Sequence, residues 1–178
     1  MKTTFLICLL ILFTCCYNKE ISEKTNPEQS EYSFENLFYN NEDTIFIKSQ
    51  FADCGEWGGH KELLKVYDSE RKIKLTYIKY KINCGKRDDK GSIVQEKDVT
   101  TNFILSKSQQ TVLMNYINNL MRLKFVEQKF SNSGNSFSIE DSKGKLKLSQ
   151  YGNNSHLLNN YNILMEGLGF SKVAIKNE

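Results

Sequence analysis

The chain has 178 residues, 39% of them hydrophobic, with 24 Lys and Arg against 21 Asp and Glu. A net charge of +3 with no basic stripe is too balanced to imply a nucleic-acid partner. The length suits one domain plus a short tether, and a single proline excludes a Pro-rich linker.

At the N-terminus, Lys2 precedes an unbroken apolar run from Phe5 to Phe13. The run ends at Thr14-Cys15-Cys16, and Tyr17-Asn18-Lys19-Glu20 is abruptly polar. This charge–apolar–polar order is that of a secretory signal peptide. The run is too short to cross a bilayer, which takes about 20 apolar residues.

The segment Leu12-Phe13-Thr14-Cys15 resembles the lipobox of bacterial lipoprotein signal peptides, which sets a Leu-like residue three positions before an invariant Cys. Phe13 departs from the family's pattern by its bulk. The resemblance implies cleavage before Cys15 and lipidation there, with Cys16 as the alternative. It also implies anchoring to a membrane of the bacterial envelope, at the outer membrane or the periplasmic face. Ordinary cleavage and secretion are the alternative. On this reading residues 1–14 are the signal, 15–30 a lipidated N-terminus and flexible tether, and 31–178 a single domain. Lys, Glu, Asn, Ser and Pro27 dominate the tether, which buries too little apolar surface to order itself.

Phe34, Leu37 and Phe38 have helical spacing and predict a short helix. Thr44 to Ala52 predicts a strand with Ile45, Ile47 and Phe51 on one face and Lys48 and Gln50 opposite. A Gly-rich loop follows, Cys54 to Gly59, then a second strand from His60 to Tyr67 with Leu64 and Val66 on one face. Asp68 to Arg71 makes a turn into a long third strand, Lys72 to Cys84. There Ile73, Leu75 and Tyr77 alternate on odd positions, but Ile78, Tyr80 and Ile82 alternate on even ones. A β-bulge at Tyr77-Ile78 would bring all six to one face and Lys72, Lys74, Lys79 and Lys81 to the other.

After a charged loop from Lys86 to Gly91, Asp98 to Leu105 predicts a fourth strand. Ser106-Lys107-Ser108-Gln109 matches a capping box. Val112, Leu113, Tyr116, Ile117, Leu120 and Met121 then follow at helical spacing. Phe125 to Phe130 predicts a strand. Phe137 to Ile139 and Leu146 to Leu148 predict a hairpin, with Asp141 and Gly144 in its turn. Asn154 or Ser155 caps a second helix through Leu168, and Gly167 and Gly169 supply stop signals. The fold expected is α+β: an antiparallel β-sheet with the two amphipathic helices packed on one face.

Cys8 lies within the signal and Cys15 and Cys16 at its end, which leaves Cys54 and Cys84 in the domain. An even pair in an exported domain predicts a disulfide. Closing that loop contributes about 3–4 kcal/mol on the chain-entropy model. In an up-down-up meander the two cysteines lie at one sheet end, about 9–10 Å apart across the middle strand. The Gly-rich loop would have to fold over the strand end to bring them together, with Trp57 covering the bridge.

Glu56, Trp57 and His60 make this the candidate binding loop. Two alternative chemistries use the same residues. Cys54, His60, Cys84 and Glu56 could furnish a zinc site. A Cys54–His60 pair oriented by Glu56 or Glu62 could furnish a nucleophile. Neither matches an established spacing, and an exported setting favours oxidised thiols. The expected protein has no cofactor, no metal and no catalytic residue. It is a non-enzymatic envelope lipoprotein, a binding or structural module. The alternatives are a tethered inhibitor or immunity-type protein that blocks a partner enzyme and, behind it, a Cys/His hydrolase or metal-dependent enzyme.

Overall fold

The computed structural model describes residues 34–38, 43–125 and 134–174. All belong to one compact unit, Tyr32–Glu178. The expected signal, Cys15, Cys16, the expected tether, residues 126–130 of the expected strand after Phe125, and the last four residues lie outside the described residues.

The elements run α1 (Phe34–Leu37), β1 (Thr44–Gln50), β2 (Lys61–Ser69), β3 (Lys72–Tyr80), β4 (Lys97–Ile104), α2 (Lys107–Leu123), β5 (Ser136–Asp141), β6 (Lys147–Tyr151) and α3 (Ser155–Leu168). Six strands form one antiparallel sheet in the order β4-β3-β2-β1-β5-β6. The first four strands meander outward from β1. After α2 the chain returns to the other side of β1 and adds β5 and β6. The fold is α+β.

Alternation decides what is buried. Ile45, Ile47, Leu64, Val66, Leu75, Phe137 and Ile139 are all inaccessible to solvent. They share one core with Leu113, Tyr116, Ile117 and Leu120 of α2 and Leu157, Tyr161, Leu164 and Met165 of α3. Each fully buried side chain of this size is worth about 1.5–3 kcal/mol. α1 joins the core through Phe34, whose ring lies 5.1 Å from that of Phe38.

The helix ends follow local chemistry. Ser106 closes the full capping box. Its hydroxyl accepts from the Gln109 amide at 3.2 Å, and Gln109 Oε1 accepts from the Ser106 amide at 2.9 Å. Asn154 caps α3 by accepting from the His156 amide at 2.8 Å, and Gly169 ends it in the left-handed conformation. The two helices meet at Gly167, where a Cβ would stand 2.6 Å from a Val112 methyl.

The third strand corrects one expectation. Tyr77 pairs with Leu64 and Ile78 with Leu63 in unbroken register, so no bulge lies at Tyr77-Ile78. The irregularity falls instead between Lys79 and Tyr80 on the β4 side, where Tyr80 pairs with Lys97 and Asp98 is skipped. The conflicting apolar sets are resolved by using both faces. Leu75 and Tyr77 enter the core, while Ile78 stays half-buried on the opposite face beside its cross-strand partner Leu63. The strand ends at Tyr80, so Ile82 leaves the ladder and is exposed. Lys79 consequently faces the core side and not the other lysines.

Candidate stapled loop

Residues 51–60 join β1 to β2 and turn back over the strand ends. Cys54 and Cys84 stand at disulfide distance, with Cα atoms 5.6 Å apart. The loop crosses β2 by the route its glycines permit. Gly59 and Asn83 exchange backbone hydrogen bonds of 2.9 and 3.0 Å beyond the ends of β2 and β3. A Cβ on Gly59 would lie 1.9 Å from the Phe51 carbonyl oxygen. Gly58 has a φ of +123°, and a Cβ there would meet the Asn83 oxygen at 2.4 Å. Only glycine allows both the turn and the close backbone approach.

Within the loop, Gly55–Trp57 form one turn of 3-10 helix, closed by Trp57 N–H to Cys54 O at 3.2 Å and by Cys54 N–H to Gly58 O at 3.0 Å. The turn buries none of its residues. Trp57, expected to cover the bridge, is 77% exposed, and Glu56 is exposed beside it.

His60, grouped with these residues by sequence, goes the other way and is 4% exposed. Its ring stacks on Phe51 with centroids 4.7 Å apart. Its Nδ1 is 2.5 Å from Asp53 Oδ2, and the same oxygen accepts the His60 backbone N–H at 2.8 Å. Its Nε2 faces Glu62 Oε1 at 3.4 Å. Glu62 is buried too. It accepts the Tyr161 hydroxyl at 2.6 Å and lies 3.5 Å from Lys79 Nζ.

The electrostatics follow from these partners. Burial pulls the His60 pKa down, but its bonds to Glu62 and Asp53 and their charges outweigh that and raise it. Burial pushes Glu62 up, yet the His60 and Tyr161 bonds and the Lys79 charge hold it below the usual carboxylate range. Burial and the neighbouring Glu62 raise both Tyr161 and Tyr77, which keeps these hydroxyls protonated donors. The cluster pairs the buried His60 and Glu62 with Asp53 and the partly exposed Lys79 at the loop's edge, and leaves His60 Nε2 without a hydrogen bond.

Cys54 thus stands with Cys84, while His60 is held by Asp53 and Glu62. The zinc set of Cys54, His60, Cys84 and Glu56 is not assembled. Among the described residues no group of three His, Cys, Asp or Glu is placed to hold a metal. Glu62 lies 3.4 Å from His60 Nε2, Asp53 makes the hydrogen bonds to His60, and Cys54 stands with Cys84 instead of with His60. Asp53 was missed by sequence reasoning. Nothing local marks it, since its two bonds to His60 exist only once the loop has folded back.

Beyond the cysteines, Asn83 organises a second loop. Its side chain bonds the backbone of Lys86 twice, at 2.6 and 2.9 Å, and also the Val94 carbonyl. Asp88 Oδ1 accepts from the Lys90 and Ser92 amides. This second loop lines an open groove of about 360 Å³ through Lys81, Ile82, Asn83, Cys84, Lys86, Val94 and Glu96. Ile82 is 60% exposed at the groove, and Ile93 is exposed in the same loop. With Trp57 these residues place large apolar side chains in solvent at one end of the sheet.

No protein-family model, curated protein or solved structure matches the chain.

Proposed function

We propose that the protein is a bacterial envelope lipoprotein, anchored through Cys15 or alternatively Cys16, that binds a protein partner through its stapled loop. In this reading the Cys54–Cys84 bridge is closed, both long helices share one face of the sheet, and the domain acts by binding without catalysis. One observation carries it: Trp57 stands 77% exposed on a loop whose base is fixed from below. Tryptophan is among the residues most enriched in binding hot spots, and display in solvent has no folding rationale. A free loop would lose ordering entropy on binding, whereas a fixed one has lost it already.

The same observation favours a narrower form, a tethered inhibitor or immunity-type protein. An exposed loop tied at its base beside a groove suits insertion into a partner's cleft. Zinc-dependent or Cys/His hydrolysis has no comparable support, because His60 is buried between two carboxylates.

The test is photo-crosslinking in intact cells with a photoreactive residue at position 57 and, as control, at the exposed Ile163 of α3. A discrete adduct from position 57 that is absent from position 163 is expected. No adduct, or the same adducts from both positions, overturns the reading.

A further inference from the structure

The charges on the strands are segregated between the two faces of the sheet. Outside the bulge at the start of β4, one face carries Lys48, Lys61, Lys65, Lys72, Lys74 and Lys147, with Glu140 as its one carboxylate. The core-side face of the same strands carries Glu62, Asp68 and Asp141, with Lys79 as its one lysine. A chain with nearly equal basic and acidic totals has therefore sorted them.

Glu140 neutralises Lys48, and Lys74 reaches Glu70 at 3.9 Å in the adjoining turn. Lys61, Lys65, Lys72 and Lys147 form no salt bridge among the described residues. Aromatic and aliphatic side chains lie between the lysines. Lys65 Nζ stands 5.3 Å from the Tyr67 ring centre and Lys48 Nζ 5.8 Å from that of Phe46. Phe46, Leu63, Tyr67, Ile78 and Tyr80 are half-buried on this face.

We propose that this face docks on a membrane surface rich in anionic phospholipid. The inference rests on the anchored reading above, because the tether keeps the domain within reach of headgroups. Lysines interspersed with half-buried apolar side chains, four of them without a salt bridge among the described residues, suit an interfacial protein surface. The charges are spread over β1, β2, β3 and β6 and do not converge on one point. That distribution suits many headgroups at once, each basic residue adding its own attraction to the surface potential. With this face down, the Trp57 loop at the end of the sheet is carried edge-on along the membrane. Its partner is then a protein held at the same surface.

The test is amine labelling of the full-length protein, purified from membranes, on vesicles of phosphatidylcholine alone or mixed equally with phosphatidylglycerol. Mass spectrometry reads the labelling of each lysine. Lys61, Lys65, Lys72 and Lys147 should label several-fold more slowly on the anionic vesicles, while Lys86, Lys90 and Lys172 stay unchanged. The protection should disappear at about 1 M salt, where the screening length falls to about 3 Å. The variant Lys61→Glu/Lys65→Glu should lose protection at Lys72 without change in thermal stability.

Protein that binds both vesicles with equal labelling at all sites overturns the face and leaves the anchor standing. Protein without attached lipid that still shows protection on anionic vesicles removes the anchor and keeps the face. Protein that binds neither overturns both. Protection by polyglutamate but not by vesicles assigns the face to an acidic protein and overturns the lipid proposal.

Discussion

Trp57 and His60 are neighbours in one loop, yet one is 77% exposed and the other 4%. The half that carries Trp57 has backbone hydrogen bonds within one turn and buries no side chain. The half that carries His60 is wired to Asp53, Glu62, Tyr161, Lys79 and Phe51, through partners up to 99 residues away. The difference is one of roles. A displayed side chain contributes little to folding, so its position has to be secured by other residues. Here the securing residues are the two cysteines, the Gly58-Gly59 approach to Asn83 and the buried charges beneath.

If that division of labour holds, the two halves respond oppositely to mutation. The largest effect is expected from Glu62→Ala, which leaves His60, Lys79 and the Tyr161 hydroxyl facing an empty site. Breaking a buried charge pair from one side costs about 3–5 kcal/mol, measurable as a lower urea midpoint. Replacing both cysteines by serine should cost about 3–4 kcal/mol in the same assay if the closed bridge acts through the unfolded chain. It should also raise the mobility of Trp57, read by fluorescence anisotropy.

The pH dependence sharpens the same comparison. His60 has a raised pKa, so its contribution is complete below its ordinary value of 6.5 and is lost as pH rises through the folded-state value. Glu62 has a lowered pKa, so its contribution is complete above its ordinary 4.5 and is lost as pH falls through the folded-state value. Urea midpoints across pH should therefore be highest between these two values, and His60→Gln should remove the decline on the alkaline side. The smallest stability effect belongs to Trp57→Ala, within about 0.5 kcal/mol as for other surface positions. The same substitution should weaken partner capture by about 2 kcal/mol or more. A Trp57→Ala variant that unfolds easily but binds normally would reverse the roles assigned to the two halves.

The parts legible in the sequence are those set by local periodicity. Alternation in β1 and β2, the capping box at Ser106, the Asn154 cap and the helical stripes all rest on residues a few positions apart, and all appear in the structure. The Cys54–Cys84 proximity was also legible, because these are the only two cysteines after residue 16, although the meander alone set them too far apart. What failed needed long-range information. The bulge was misplaced because β3 was assumed to have one apolar face, whereas a strand with neighbours on both sides can shelter Ile78 beside Leu63 on the other. The insertion of β5 beside β1 depends on a return of the chain that no local pattern encodes. The Glu62–Tyr161 bond joins residues of β2 and α3, so the buried base of the loop was invisible while its cysteines were not.

Intact mass spectrometry of the protein from the membrane fraction, with and without reduction, tests the proposed membrane-tethered, disulfide-closed domain most directly. The predicted result is a mature chain beginning at Cys15 or Cys16 with attached acyl mass, and with Cys54 and Cys84 protected from alkylation until reduced. A mature chain without added lipid, or one with both thiols alkylated before reduction, would contradict it.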